Sequence, residues 1–544
     1  MGKNRTHGFD NWGLVPYYSE NSPSNYHDTQ SRSANPNCQY NTGFSQIDLL
    51  QKFVFPLTAK TDLNVNIQYS NSTNVPRFDK LNEYDEGTLK YAEWYYGPQK
   101  RLLLASQLNL SPGYSWLDNG VISLAFQNID ESRITRKFED LTKFFGYENV
   151  KVYSLNGDFH LPLTQDGKRI LSYGFETSYN DVASEAFSQE LIIEDTTITG
   201  LSDAVVSASR YPDAGSRYSN FALYTNYRLD HSEKGTLNVG VRFTNTLLKA
   251  EWKENPFVEV DRKAISIRNA AFSGTLGYVY KAGTNWRISS VLSSGFRSPN
   301  IDDIGKIREK RGKVSVPNIT LQPEMAYNAE IGLMRFFNQR RTKLGFITYI
   351  TLLHNYITRD YFHLKGESTI EYNGETARVV ANVNKGNAVI KGFTASVQTK
   401  LTSHLKINSS VTYTKGKALD GIEPLSSIPP LFGDVAVLYR YKKFRFGGNF
   451  RFNSKKSSKD YNMTEGIDNI EETPLIDETA ESDVDKYYGT PAWQTIGLSA
   501  RYKLSQYATL RFRLDNLFDV HYKEFASGVS APGRNISISI NTNF

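Results

Sequence analysis

Phe444-Arg445-Phe446-Gly447-Gly448-Asn449-Phe450-Arg451-Phe452-Asn453 alternates aromatic and polar positions with a period of two. That period sends successive side chains to opposite faces of an extended strand. One face is ringed with Phe, while the other carries Arg445, Asn449 and Arg451. The same alternation recurs in Leu63–Tyr69, Leu237–Phe243 and Ile536–Ile540, and Arg501, Arg511 and Arg513 keep the polar parity of their strands. No segment beyond two turns shows a helical stripe, so the chain reads as all-β.

The connections decide which all-β fold. Nine short polar breaks separate paired runs, near 58–62, 111–120, 164–169, 230–235, 281–285, 338–343, 402–404, 441–443 and 505–507. Between successive hairpins the stretches are mostly far longer: 70–101, 180–220, 298–324, 359–387 and 453–489. Short turns at one end and long loops at the other predict a transmembrane antiparallel β-barrel with periplasmic turns and extracellular loops. A β-sandwich gives no reason for long loops on every second connection, and no propeller-like repeat is present. In lipid every backbone N–H and C=O must be paired internally, so the spanning sheet is expected to close on itself.

Composition agrees. The chain has 544 residues, 39% of them hydrophobic and 22% charged. Its net charge of +6 is spread thinly, which excludes a nucleic-acid partner. Apolar runs of about five residues exclude transmembrane helices, which need roughly 20. With 34 Tyr, 31 Phe and 6 Trp the chain is too aromatic to be disordered. One cysteine, Cys38, forbids an internal disulfide or a Cys-based metal cluster. No cofactor and no metal site are expected. Met1-Gly-Lys-Asn-Arg-Thr-His7 has no apolar run, so no export signal is visible. The final strand ends on Phe544, in the parity of its isoleucines, which resembles the signal read by the outer-membrane assembly machinery.

Nine hairpins and the last run make 19 strands, whereas bacterial barrels normally have an even number. If short turns are periplasmic, residues 1–43 begin on the extracellular side, as a loop remnant before a single barrel domain over 44–544. At least one strand, and the export signal, are therefore expected upstream of Met1.

Three stretches resemble the barrel of TonB-dependent outer-membrane receptors, particularly those of Bacteroidetes-type bacteria. Ser294-Gly-Phe-Arg-Ser-Pro-Asn300, then Val316-Pro-Asn-Ile-Thr-Leu-Gln-Pro-Glu324, match the family's Phe-Arg-Ala/Ser-Pro and Leu-x-Pro-Glu boxes through Phe296, Arg297, Pro299, Pro323 and Glu324. Asn384–Gly392 looks like a family strand entry. Asn516, Phe518, Pro532, Gly533, Arg534 and Phe544 look like its C-terminal signature. The resemblance implies a barrel of about 22 strands around an N-terminal plug, so that three strands would lie upstream. It implies energised import of a scarce nutrient, with TonB acting on the plug. Plug and TonB box are not visible in the sequence, so coupling to TonB is expected only through a plug outside this chain.

Long loops on a rigid wall are where recognition is expected. Tyr84, Tyr91, Trp94, Tyr95 and Tyr96 could stack on a catecholate, porphyrin or sugar, or serve as an interfacial girdle. The run Lys306, Arg308, Lys310, Arg311 and Lys313 could steer an anionic ligand, or simply face solvent. In haem receptors of the family these boxes resemble, an axial histidine lies between the two boxes; none lies between Pro299 and Pro317 here, and His363, near Tyr361, could substitute as a ligand. The acidic stretch 465–485 is expected to be a solvated loop. Catalytic signatures such as Gly-x-Ser-x-Gly, His-Glu-x-x-His and the phosphate loop are missing, so no enzyme is expected. The expectation is a lipid-embedded receptor in the outer membrane for a metal chelate, a ferric siderophore first, with haem, cobalamin and oligosaccharide open. A plugless channel or surface-binding barrel, and a barrel enzyme, are the alternatives from other classes.

Overall fold

The computed structural model describes residues 1–22, 25–85, 87–253, 263–310, 312–372, 375–421 and 423–543. Phe544 and Arg311 lie outside the described residues.

The barrel wall is one antiparallel ladder. Its strands are β1 Gln46–Thr58, β2 Thr61–Ser72, β3 Lys100–Leu110, β4 Asn119–Lys137, β5 Thr142–Pro162, β6 Arg169–Glu194 and β7 Ser216–Asp230. They continue as β8 Gly235–Glu251, β9 Ala264–Tyr280, β10 Trp286–Arg297, β11 Glu324–Phe337, β12 Thr342–His354 and β13 Asn387–Lys400. The last are β14 Leu405–Ala418, β15 Phe432–Tyr441, β16 Phe444–Asn453, β17 Trp493–Lys503, β18 Ala508–Asp515 and β19 Asn535–Thr542. Each pairs with the next in sequence. Nineteen strands agree with the alternation count. Among the described residues β1 and β19 do not pair with each other, and both are exposed along their whole length.

All nine short turns fall where the polar breaks put them. One loop boundary moves: the stretch after Asn180 stays in the sheet to Glu194, because Asp181 to Glu190 pair with Lys151 to Thr142 of β5. Strands β4 to β6 therefore rise well beyond the rest on the long-loop side. The outward face is apolar and uncovered, with Phe272 70%, Leu292 57% and Ile538 69% exposed. Such a face is stable in hydrocarbon and not in water.

Two long loops build a sheet of their own over the wall. Arg308–Lys310 and Lys313–Ser315, between β10 and β11, join Ile357–Tyr361, Thr369–Tyr372 and Glu375–Asn384, between β12 and β13. Lys313–Ser315 pairs parallel with Arg378–Val380. Ile307, Val314, Val316, Ala377, Val379 and Ala381 form its core.

The family boxes brace the roots of these loops. Arg297 faces Glu324 across β10 and β11 and grips Asp303 at 2.5 Å. Glu324 accepts the Ile357 amide at 2.8 Å, Pro323 accepts Asn355 Nδ2 at 3.0 Å, Phe296 pairs with Met325, and Pro299 is fully buried. In the β18–β19 loop, Asn516 Nδ2 donates to the Val520 and Pro532 carbonyls at 2.8 and 3.2 Å. The Arg534 amide donates to Asp519 at 2.8 Å, while Phe518 is exposed.

The described residues among 1–43 lie across the long-loop end. Asn4 pairs in parallel with Val520, and a Cβ on Gly2 or Gly533 would collide with the facing segment's backbone. The hairpin Tyr17–Ser22/Asn25–Arg32 reaches the loop between β2 and β3, where Gln30 accepts the Leu89 amide at 3.1 Å.

The acidic stretch corrects the solvated-loop expectation in its first half. Asp468 is 2% exposed, pairs with Lys456 at 3.3 Å and accepts the Ser427 amide at 2.7 Å. Glu472 pairs with Lys523 at 2.9 Å. Lys456, earlier in the same loop, and Lys523, from the β18–β19 loop, neutralise these acids through contacts that composition alone does not register. Asp477 to Thr479 are exposed as expected.

Candidate functional site

On the long-loop side a cavity of about 440 Å³ opens between the β2–β3 loop, the upper ends of β4 to β6, and the loop sheet. Its volume suits a small organic ligand. Tyr91–Tyr96 is a short strand paired with the end of β4, so its alternate side chains face opposite ways. Trp94 and Tyr96 line the cavity, as does Tyr91, while Tyr95 turns towards Lys143, whose Nζ lies 5.7 Å from its ring centre.

Cations also line the cavity. Arg77, Arg133, Arg210 and Arg308 line it, with Lys80, Lys90 and Lys137. Two arginines are fastened to the aromatic side. Arg77 binds Asp79 through two bonds at 2.7 and 2.5 Å, donates to Tyr96 Oη at 2.5 Å, and lies 4.7 Å over Trp94. Its hydrogen bond to Asp79 raises its affinity for its proton. Arg133 binds Glu148 at 2.5 Å and lies 5.7 Å over the Tyr96 ring.

The other two differ in their partners. Arg308 has no ion pair among the described residues; burial lowers its pKa, and so do Arg210, Arg359 and Arg77. A guanidinium stays charged under such pressure, so the site holds uncompensated positive charge. Arg210 pairs with Asp302 at 3.8 Å and, although burial opposes it, Tyr211, Asp302 and Glu148 raise its pKa; its buried Nε has no hydrogen-bond partner. Arg359 likewise has a buried, unpartnered Nε, while its Nη1 donates to the Glu465 carbonyl at 3.2 Å. Arg308 also lines a second cavity of about 70 Å³, with Arg359, Lys313, Tyr461 and Glu465. Tyr372, on the cavity wall, has its hydroxyl pushed up to about 12 by burial and by Glu309.

Such a set can do two things chemically. Planar rings stack on a flat ligand, and forked guanidinium donors left unpaired bind carboxylates, phenolates or phosphates bidentately. Nothing in it resembles a nucleophile with a base. No group of three or more His, Cys, Asp or Glu able to hold a metal occurs among the described residues.

Of the residues singled out from sequence, Tyr91, Trp94, Tyr96 and Arg308 converge here. Tyr84 is exposed on a separate two-residue strand. Tyr361 is exposed and stacks under Arg378, 3.9 Å from its ring centre, and His363 is exposed beyond the cavity. The Lys310 side chain lies outside what is described. Sequence reading missed Arg77, Arg133, Arg210 and Arg359, which stand singly in their own segments with no local signal.

The sequence profile of the family described as TonB dependent receptor-like, beta-barrel, matches residues 6–517. Hemoglobin-binding protein A of Haemophilus influenzae is 28% identical over 178 residues, covering 30% of this chain and 17% of its own length. Hemoglobin and hemoglobin-haptoglobin-binding protein A of the same species is 27% identical over 253 residues, 44% of this chain and 22% of its own. The matched stretches thus span only about a fifth of those relatives. Among solved structures, the copper transporter OprC superposes with a TM-score of 0.71 at 14% identity, over 92% of this chain and 74% of that one. The siderophore receptor PirA of Acinetobacter baumannii superposes at 0.66 and 14% identity, over 92% and 71%. These likenesses establish a shared fold.

Proposed function

We propose, for a chain that belongs to the TonB-dependent receptor-like β-barrel family, that it captures an anionic metal chelate at the long-loop face of an outer-membrane barrel. A ferric siderophore is the ligand class. One observation carries this reading: Arg308, without an ion pair among the described residues and pressed by Arg210, Arg359 and Arg77, stands beside Trp94 and Tyr96 in one cavity. The long loops then face the outside, lipid surrounds the apolar wall, and import is energised by TonB acting through a plug. The family is one of transport receptors, and the site holds no catalytic constellation.

Haem is the second reading, favoured by the names of the two Haemophilus relatives. Its propionates would meet the arginines and its ring the Trp94 side. No histidine lines the cavity, so an axial ligand would have to be Tyr91, Tyr96 or Tyr372.

The test is quenching of tryptophan fluorescence in the detergent-folded chain by a ferric tris-catecholate, a neutral ferric hydroxamate and haem. The expected result is salt-sensitive binding of the catecholate, weakened about tenfold or more by Arg308→Ala. Equal, salt-independent binding of the neutral chelate overturns the anionic reading, and preferential haem binding replaces it with the second.

A further inference from the structure

One row of the outer face changes character along its length. Leu276 of β9 is directly opposite Leu292 of β10, and Ala329 of β11, Ile350 of β12, Lys391 of β13 and Lys415 of β14 follow in turn. Directly opposed residues share a face. Leu276, Leu292 and Ile350 are exposed, and the row beneath includes Ile331, Phe393 and Tyr413. Aliphatic and aromatic side chains mark the lipid side, so the two lysines stand on the lipid face.

The apolar part of the row lies in a groove of about 620 Å³ walled by Leu276, Leu292, Tyr327, Ile350 and Leu352. Its floor is low because Gly274, Ser294 and Ala329 are small, and it opens where the wall parts. Pairing of β9 with β10 ends at Thr275–Ser293 although both strands run on, and the Gly274 amide turns to Ser294 Oγ at 2.9 Å.

The row also climbs. Leu276 is four residues from the short-turn end of its strand, Leu292 six and Lys415 ten. Ten residues of a strand tilted by about 40° rise about 25 Å, which is the height of the apolar band. The groove therefore ascends from mid-membrane depth towards the long-loop side, and the lysines stand where hydrocarbon gives way to headgroups.

Like charges directly opposed across a ladder destabilise it. Lys391 and Lys415 are exposed, as is Lys417 on the next row, and among the described residues no carboxylate pairs with any of the three. The acids of the loop after β14 are engaged elsewhere: Asp420 accepts the Asn387 amide at 2.9 Å, and Glu423 pairs with Lys385 at 3.1 Å. Opposed Cβ atoms are about 5 Å apart, so one phosphate reaches both ammonium groups, and basic side chains at this depth attract anionic headgroups. A free anion leaves the groove empty, and a neutral lipid leaves the lysines opposed. A molecule with an acyl chain and an anionic head answers both.

We propose that the groove from Leu276 to Ile350 and the pair Lys391–Lys415 form a binding site for a phosphorylated lipid of the surrounding leaflet, with its acyl chain in the groove and its phosphate on the lysines. The proposal rests on the lipid-face assignment, which the reading of the wall as a membrane barrel shares, and not on the ligand cavity.

The experiment measures lipid retention by the detergent-folded 544-residue chain in native mass spectrometry, with phosphatidic acid and diacylglycerol of the same chains as probes. The expected result is selective retention of phosphatidic acid, weakened about tenfold or more by Lys391→Gln with Lys415→Gln, and also by Ala329→Phe, which fills the groove. Lys391→Arg with Lys415→Arg should retain it, which controls for folding, and ferric chelate binding should be unchanged in all these variants. Equal retention of diacylglycerol, unchanged affinity in either weakening variant, or full displacement by equimolar inorganic phosphate each overturns the proposal. A chain that also fails to insert into lipid vesicles takes the membrane reading down with it; one that inserts and gives any of those outcomes overturns the proposal alone.

Discussion

Asp28 holds Arg136 through both carboxylate oxygens, at 2.5 and 2.8 Å, and both side chains are 2% exposed. Asp28 belongs to the hairpin near the N-terminus and Arg136 to the rising end of β4, more than a hundred residues later. Breaking one partner of a buried pair costs several kcal/mol, because the survivor keeps its desolvated charge. Glu93, 3.1 Å from Arg136, offsets part of that here. Asp28→Ala should therefore cost about 3 kcal/mol. Hydrogen exchange should speed up at residues 17–32 and remain unchanged in β14 to β17.

Arg308 illustrates the opposite balance. Its neighbours Arg210, Arg359 and Arg77 all repel it. Arg308→Gln should stabilise the ligand-free chain by about 1 kcal/mol while weakening anionic chelate binding. Thermal unfolding with and without the ferric catecholate reads both signs; a fall in the ligand-free melting temperature would contradict this account.

The N-terminal dock should respond to acid. His7 Nε2 lies 3.0 Å from His521 Nδ1, and Trp12 meets both rings edge-on. Burial first, then Arg5, lowers His7 to about 4, and burial, Arg5 and His7 lower His521 to about 3. Both folded values lie below the ordinary 6.5, so the released form binds protons first as pH falls. Docking is therefore fully stable above about 6.5 and weakens from there towards 3, by at most about 1.4 kcal/mol per pH unit per proton. Trp12 fluorescence should report the release, and His521→Gln should flatten its pH dependence.

Insertions separate the two halves of the acidic loop. A glycine inserted after Glu478 meets exposed chain and should leave unfolding unchanged. One inserted after Asp468 displaces the carboxylate from Lys456 and should lower stability by about 3 kcal/mol. Denaturant melts in detergent compare the two directly.

The lipid face has a depth dependence. Phe272, 70% exposed in the middle of β9, should cost about 2–4 kcal/mol when replaced by Arg. Phe446→Asp, two residues from the start of β16, should cost about 1 kcal/mol or less. Arg445→Asp, on the lumen side, should be tolerated at least as well. Equal penalties at all three positions would refute the assignment of faces.

What the sequence by itself determined is the wall: nineteen strands, their turns, and the two faces of the sheet. Alternation is local, so Phe444 and Arg445 already announce opposite sides of β16, and short breaks such as Lys442-Lys443 show where the chain reverses. The limit of that reading is visible at Asn180, where polar composition resembles a loop although β5 supplies a ladder partner as far as Glu190. Only the tertiary structure decided the site. Arg77, Arg210, Arg308 and Arg359 come from four separate long loops, and nothing local marks them as companions. Charge acts through space: Arg308 is unneutralised because its folded neighbours are other arginines, and Asp468 is buried because Lys456 meets it. The row Arg440, Arg445, Arg501 and Arg511, each directly opposed to the next across β15 to β18, stands between the two cases. Each arginine's face is legible in its own strand, but their alignment depends on register across four strands, which only the ladder pairing shows.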